Sequence, residues 1–95
     1  MGGRSGRRPV SSHTAVDYAI GADVADRAPV DVDIVVFDLQ GRAVRTIFHG
    51  SRGPGRYRAE WSGTSDAGTR VPPGIYHLRF SAGSQRQSFK LIVMN

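Results

Sequence analysis

Apolar and polar residues alternate with a period of two along almost the whole body of this chain, the signature of half-buried β-strands. In Thr14–Ile20, Val16, Tyr18 and Ile20 share one face while Asp17 points away. In Val30–Leu39, Val30, Val32, Ile34 and Val36 share a face; the opposite face begins with Asp31 and Asp33 and turns apolar at Val35 and Phe37. A strand that becomes apolar on both sides is expected in the middle of a sheet and covered at that end. Ala43–Phe48 is a weaker strand, grouping Val44 with Phe48 and Arg45 with Ile47. Arg56–Trp61 sends Tyr57, Ala59 and Trp61 inward, and Ile75–Ala82 sends Tyr76, Leu78 and Phe80 inward. The last segment, Gln85–Met94, carries Phe89, Leu91 and Val93 on one face and Ile92 with Met94 on the other. Being apolar on both sides, it predicts cover on both sides or a partner still to come.

The turn residues agree with this division. Asp38-Leu39-Gln40-Gly41 fits a tight hairpin whose glycine takes the positive-φ position. Gly50–Gly55, Ser62–Gly74 and Ala82-Gly83-Ser84 supply the other connections, and Gly21–Pro29 is a loop with room for one helical turn. No segment sustains a 3.6-residue period, so helix is expected to be nearly absent. Several short strands in so short a chain predict an all-β sandwich, because a single sheet would leave an apolar face in water. Its predicted core is Val16, Tyr18, Ile20, Val32, Ile34, Val36, Tyr57, Trp61, Tyr76, Leu78, Phe80, Phe89 and Leu91.

Composition narrows the classes. Ninety-five residues allow one domain. The absence of cysteine removes disulfide scaffolds, thiolate metal sites and cysteine nucleophiles. The net charge is +5, but Arg4, Arg7 and Arg8 supply three of the 13 basic residues. Residues 1–8 read as a flexible basic tail or cloning remnant, and residues 9–95 as the domain. The other arginines are scattered, whereas nucleic-acid binding needs a dense basic face with interleaved aromatics, so nucleic acid is not an expected partner. No run approaches the roughly 20 apolar residues of a membrane span, and no apolar stretch of signal-peptide type follows the N-terminal arginines. The chain is therefore expected to be intracellular or a piece of a longer exported protein.

The polar residues assemble no reaction centre in the sequence. His13, His49 and His77 fall in different elements without metal-ligand spacing. Asp66 and Gly68 resemble a fragment of a calcium loop that lacks the alternating oxygen ligands and the closing Glu. Asp31 and Asp33 lie about 7 Å apart on one strand face, a solvated acidic face by default, with Asp23 and Asp26 nearby. No serine sits in a nucleophile-elbow context. Gly50–Gly55 lacks the Lys-Ser/Thr and the following helix of a phosphate loop. An isopeptide bond would need Lys90, the single lysine, beside the chain-terminal Asn95. The expectation is a chain that is not an enzyme and has no cofactor or metal.

One family pattern does run through the chain. Ile34-Val35-Val36-Phe37-Asp38-Leu39-Gln40-Gly41-Arg42-Ala43-Val44-Arg45-Thr46-Ile47 resembles the "V-x-V-Y-D-x-x-G-R-x-V-R-x-L" hairpin of bacterial FlgD-like immunoglobulin-like C-terminal modules. That group is named after the flagellar hook-cap protein and related to the C-terminal sorting domains of type IX secretion. Gly55 to Gly63, with Trp61, resembles "G-x-x-x-x-x-W-D-G"; Asp66 to Tyr76, with Gly68 and Gly74, resembles "D-x-x-G-x-x-V-x-x-G-x-Y". Lys90 to Met94 is similar to the family's closing strand, and Pro9 to Tyr18 to the "N-P-x-x-x-x-T-x-I-x-Y" pattern at its start. Ser62 stands where the pattern has Asp after the Trp, and Arg8 where it has Asn.

The resemblance implies an immunoglobulin-like antiparallel β-sandwich of about seven strands. It singles out Asp38, Gly41, Arg42, Trp61, Gly63, Asp66, Gly68, Gly74, Tyr76 and Lys90 as structural motif residues. Gly41 would permit the hairpin turn, Trp61 would fill the space between sheets, and Gly74 would permit a bend or a close approach. It implies a non-catalytic C-terminal accessory module of an exported bacterial protein, secreted or at the cell surface, serving sorting, anchoring or spacing. Its partners would be the upstream domain of the same protein, secretion machinery or surface components. The alternatives are an assembly module like the hook-cap domain, or a carbohydrate-binding sandwich, for which the aromatics lie on the wrong, inward faces.

Overall fold

Seven strands account for the described part of the chain. The computed structural model describes residues 7–10, 14–21 and 29–94. The strands are β1 (Arg7–Val10), β2 (Thr14–Ile20), β3 (Val30–Phe37), β4 (Ala43–Arg52), β5 (Gly55–Trp61), β6 (Gly74–Ala82) and β7 (Gln85–Val93). Six of them are the alternating segments of the sequence; no helix occurs among the described residues.

The strands form two sheets, one of five strands in the order β1-β7-β6-β3-β4 and one of two, β2-β5. After the β3–β4 hairpin the chain crosses to pair β5 with β2, then returns to lay β6 beside β3. This is the sheet-to-sheet crossing of an immunoglobulin-like sandwich. Each sheet alone would wet one apolar face; face to face they bury Ile20, Ala59 and Trp61 against Val32, Ile34, Val36, Tyr76, Leu78, Phe80, Ala82, Leu91 and Val93. All the residues read from alternation as core are buried or pack against that cluster. Val16, Tyr18, Tyr57 and Phe89 are only half-buried, since two strands cannot cover five. A gap of about 240 Å³ remains beside β2, lined by Val16, Tyr18, Leu78, Phe80 and Phe89 among others.

Three points correct the sequence reading. First, β1 was not foreseen, and it begins at Arg7, so the last two residues assigned to the tail belong to the sheet. Four residues containing a proline show no period; the strand exists because β7 offers an edge. Second, β1 pairs with β7 in parallel, Arg7 opposite Lys90 and Val10 opposite Val93, so the sandwich is not wholly antiparallel. Third, β4 runs on through Gly50 to Arg52, and the following turn is only Gly53-Pro54. The register against β3 shifts twice: Ile34 faces Phe48 and Val35 faces Thr46, then Val36 faces Arg45 and Phe37 faces Ala43. Ile47 and Val44 are thereby the extra residues at the two irregularities, which spoil strict alternation while Val44, Ile47 and Phe48 all pack on the core.

The remainder of the tail, the loop at 22–28 with Asp23 and Asp26, His13 and Asn95 lie outside the described residues.

Candidate functional site

Most of the motif residues come together at one end of the sandwich, where the β3–β4 hairpin, the β5–β6 loop and the end of β7 meet. The hairpin is built by Asp38. Its Oδ1 accepts the backbone N–H groups of Gln40 and Arg42 at 3.0 and 2.9 Å, and its Oδ2 accepts Arg42 Nε–H at 2.9 Å. Gly41 N–H donates to Asp38 O at 3.0 Å, and Gly41 has φ +84°, which a residue with a Cβ adopts only with strain. The Arg42 backbone N–H is the main reason that the Asp38 carboxyl titrates below its ordinary range; the Arg42 guanidinium and the Gln40 N–H add to it, and desolvation opposes them.

The β5–β6 loop folds back on itself. Thr64 bridges Arg70, Val71 N–H donates to Gly63 O at 3.0 Å, and Gly68 N–H closes a turn on Ser65 O at 2.9 Å. The tip of this small hairpin docks on the outer edge of β4. Asp66 N–H donates to Val44 O at 3.0 Å, Thr46 N–H donates to Asp66 Oδ1 at 2.9 Å, and Arg45 Nη1–H donates to Ser65 O at 2.9 Å. Asp66 therefore acts as a one-residue surrogate strand. An open edge strand would pair with other chains, and this loop covers that edge at Val44 to Thr46.

Two aromatic residues fasten the loop from below. Trp61, 2% exposed, donates its Nε1–H to Thr64 O at 2.7 Å. Tyr76, near the start of β6, donates its hydroxyl to Pro72 O at 2.6 Å, which is the tyrosine corner of immunoglobulin-like folds. The two rings meet edge to face, centroids 5.8 Å apart. Burial raises the Tyr76 phenol above its ordinary pKa. Gly74 opens β6 with φ +154°; nothing lies within 4 Å of where a Cβ would stand, so the backbone angle and not a close approach calls for glycine there. Lys90 is apart from this constellation: it is half-buried on the outward face of β7, opposite His77.

Between hairpin and loop lies an open groove of about 530 Å³, lined by Asp38, Gln40, Arg42, Thr69, Pro72 and Tyr76 among others. Of its ionisable groups, Asp38 and Arg42 bind each other and Tyr76 binds Pro72; Arg70 lines it as well. At the other end of the five-stranded sheet the outward His49 Nδ1 meets Asp33 Oδ1, and the carboxylate raises the imidazole pKa. Asp31, beside it, receives Ser51 Oγ at 3.5 Å. Among the described residues no three His, Asp or Glu side chains converge as a metal site would require.

Sequence reasoning missed Thr46 and Arg45 as the residues that receive the loop, and Thr64 and Pro72 as the carbonyls that hold Trp61 and Tyr76. No signal along the chain marks a backbone acceptor. The Asp66 carboxylate was legible as a loop residue, but its partner lies 20 positions away.

The covered β4 edge, the tyrosine corner and the sheet crossing describe an immunoglobulin-like module, and comparison with protein families identifies which. A family model of the FlgD Ig-like domain matches residues 13–86. The chain belongs to the FlgD Ig-like domain family. The match covers β2 through β6 and the first residues of β7, so this FlgD Ig-like domain holds Asp38, Asp66, Trp61 and Tyr76 inside the shared region. Comparison with curated proteins returns no match.

Proposed function

We propose that this FlgD Ig-like domain is a non-catalytic protein–protein module, an accessory unit of an exported bacterial protein that positions or anchors its parent at the cell surface. The observation that carries this reading is how the motif side chains are used. Asp38, Asp66, Trp61 and Tyr76 all bind the chain's own backbone, within a region that matches a family of structural modules. Side chains so engaged specify a surface and its rigidity, and their polar atoms are committed to holding the backbone.

The test is deletion of the module from the parent protein in its own bacterium. The expected outcome is a parent that keeps its intrinsic activity but is lost from its proper place, read by fractionation into cytoplasm, envelope and medium. A deletion that abolishes activity of a correctly placed parent would overturn the accessory role; unchanged placement would overturn positioning.

A further inference from the structure

The large apolar side chains that remain exposed among the described residues are gathered at the end of the sandwich where the motif residues sit. They are Leu39 at 63%, Ile75 at 38% and Met94 at 48%. Ile75 pairs across the strands with Ile92, Met94 follows two residues on, and Leu39 lies at the tip of the neighbouring β3–β4 hairpin. Ile75 and Ile92 alternate with buried residues (Tyr76, Leu91 and Val93), so they point away from the core onto the outward face of the five-stranded sheet, and Met94 follows just past the end of β7. The next row on that face is Phe37, His77 and Lys90, directly opposite one another. Arg79 lies with its guanidinium 4.4 Å from the Phe37 ring centroid.

On β6 and β7 the charge of this face has one sign. Outward positions on β6 are Ile75, His77, Arg79 and Ser81, and on β7 they are Arg86, Ser88, Lys90 and Ile92, with no carboxylate among them; Asp31 and Asp33 of β3 lie on the same face at its other end, Asp33 opposite Ser81. A contiguous apolar patch on a surface marks an interaction site, and its charged rim selects the partner.

We infer that the outward face of β6 and β7 is a docking surface for a protein segment that carries apolar side chains at its centre and carboxylates at its edges. This rests on the protein–protein reading above and names the surface and the partner chemistry. A second copy is disfavoured, because facing copies would bring two surfaces carrying Arg79, Arg86 and Lys90 together. An extended or sheet-faced protein segment matches the rows of a pleated face, about 6.7 Å apart along the strands, whereas a bilayer has no such repeat.

The test uses the isolated chain and a synthetic peptide of alternating Glu and Ile as probe, with amide chemical shifts as readout. The expected result is shifts concentrated at Leu39, Ile75, His77, Lys90, Ile92 and Met94. Affinity should fall by about tenfold or more in Lys90→Glu, and likewise in Ile75→Ser with Met94→Ser, because loss of one rim charge or of central apolar contacts acts at that scale. Unchanged thermal unfolding of the variants shows that they remain folded. No binding, equal binding of a peptide with Lys in place of Glu, or shifts spread over the β2–β5 sheet would overturn the inference. So would tight binding to phosphatidylglycerol vesicles but not to the peptide, or self-association abolished by Ile75→Ser. In the parent protein, deletion of the module that alters placement while the surface variants do not would refute this face alone. If neither alters placement, the module reading fails and the peptide result still judges the face.

Discussion

The Asp66 carboxylate accepts the backbone N–H of Thr46 at 2.9 Å, tying the β5–β6 loop to the edge of β4. Replacing Asp66 with Ala should destabilise the domain by about 1 kcal/mol, the net worth of such a bond. Asp66→Asn keeps an acceptor oxygen and should lose less. Hydrogen exchange at the Thr46 amide checks the origin of the loss: it should quicken in Asp66→Ala and stay slow in Asp66→Asn. Increased aggregation of the Ala variant would follow from the uncovered strand edge.

Trp61 is buried between the sheets and holds Thr64 O through its indole N–H. Trp61→Ala should cost about 3–5 kcal/mol by leaving a cavity. Chemical denaturation with an unshifted midpoint would remove Trp61 from the core.

The Tyr76–Pro72 bond makes two expectations. Tyr76→Phe should cost about 0.5–1.5 kcal/mol, read from the denaturation midpoint. The second concerns alkaline pH. Burial raises the folded-state pKa of this phenol, so its contribution to stability is full below the ordinary tyrosine value of about 10 and is lost as pH rises through the raised folded value. Ultraviolet titration of tyrosinate should show a transition above the ordinary tyrosine value that disappears in Tyr76→Phe.

His49 gives the opposite end of the molecule a milder pH dependence. The hydrogen bond to Asp33, and then its charge, raise the imidazole pKa. The pair therefore contributes most below the ordinary histidine value of about 6.5, and its contribution is lost as pH rises through the raised folded value. Both groups face water, so the effect on melting is small and the direct measurement is an NMR titration. Asp33→Asn should bring the His49 midpoint down.

Truncation after Gln87 should unfold or aggregate the domain. It removes Phe89, Leu91 and Val93, worth about 1.5–3 kcal/mol each, a loss comparable to the whole stability of a small domain. It also removes the strand that lies between β1 and β6, leaving both without that partner. Circular dichroism of the truncated chain checks this; a folded, soluble fragment would show that β7 is an appendage.

The sequence by itself determined what depends on near neighbours along the chain. Alternation at Val32, Ile34 and Val36, or at Tyr76, Leu78 and Phe80, fixes which faces are inward, because side chains of a strand alternate whatever the strand pairs with. The turn at Asp38–Gly41 was legible because Asp38 and Gly41 shape it within five residues. The order of motif residues identified an immunoglobulin-like module for the same reason.

Only the tertiary structure decided what depends on residues far apart. β1 is a strand because β7 gives its backbone a partner, and Arg7 and Pro9 carry no local pattern of their own. The two register shifts of β4 leave Ile47 and Val44 without a partner on β3, which a period of two cannot express. Asp66 looks like an ordinary turn residue until the fold carries it to Thr46. Ile92 reads only as an apolar position in need of cover; the fold placed it opposite Ile75 on the outward face, one row from His77 and Lys90, because β7 turns just one of its two apolar sides to the core.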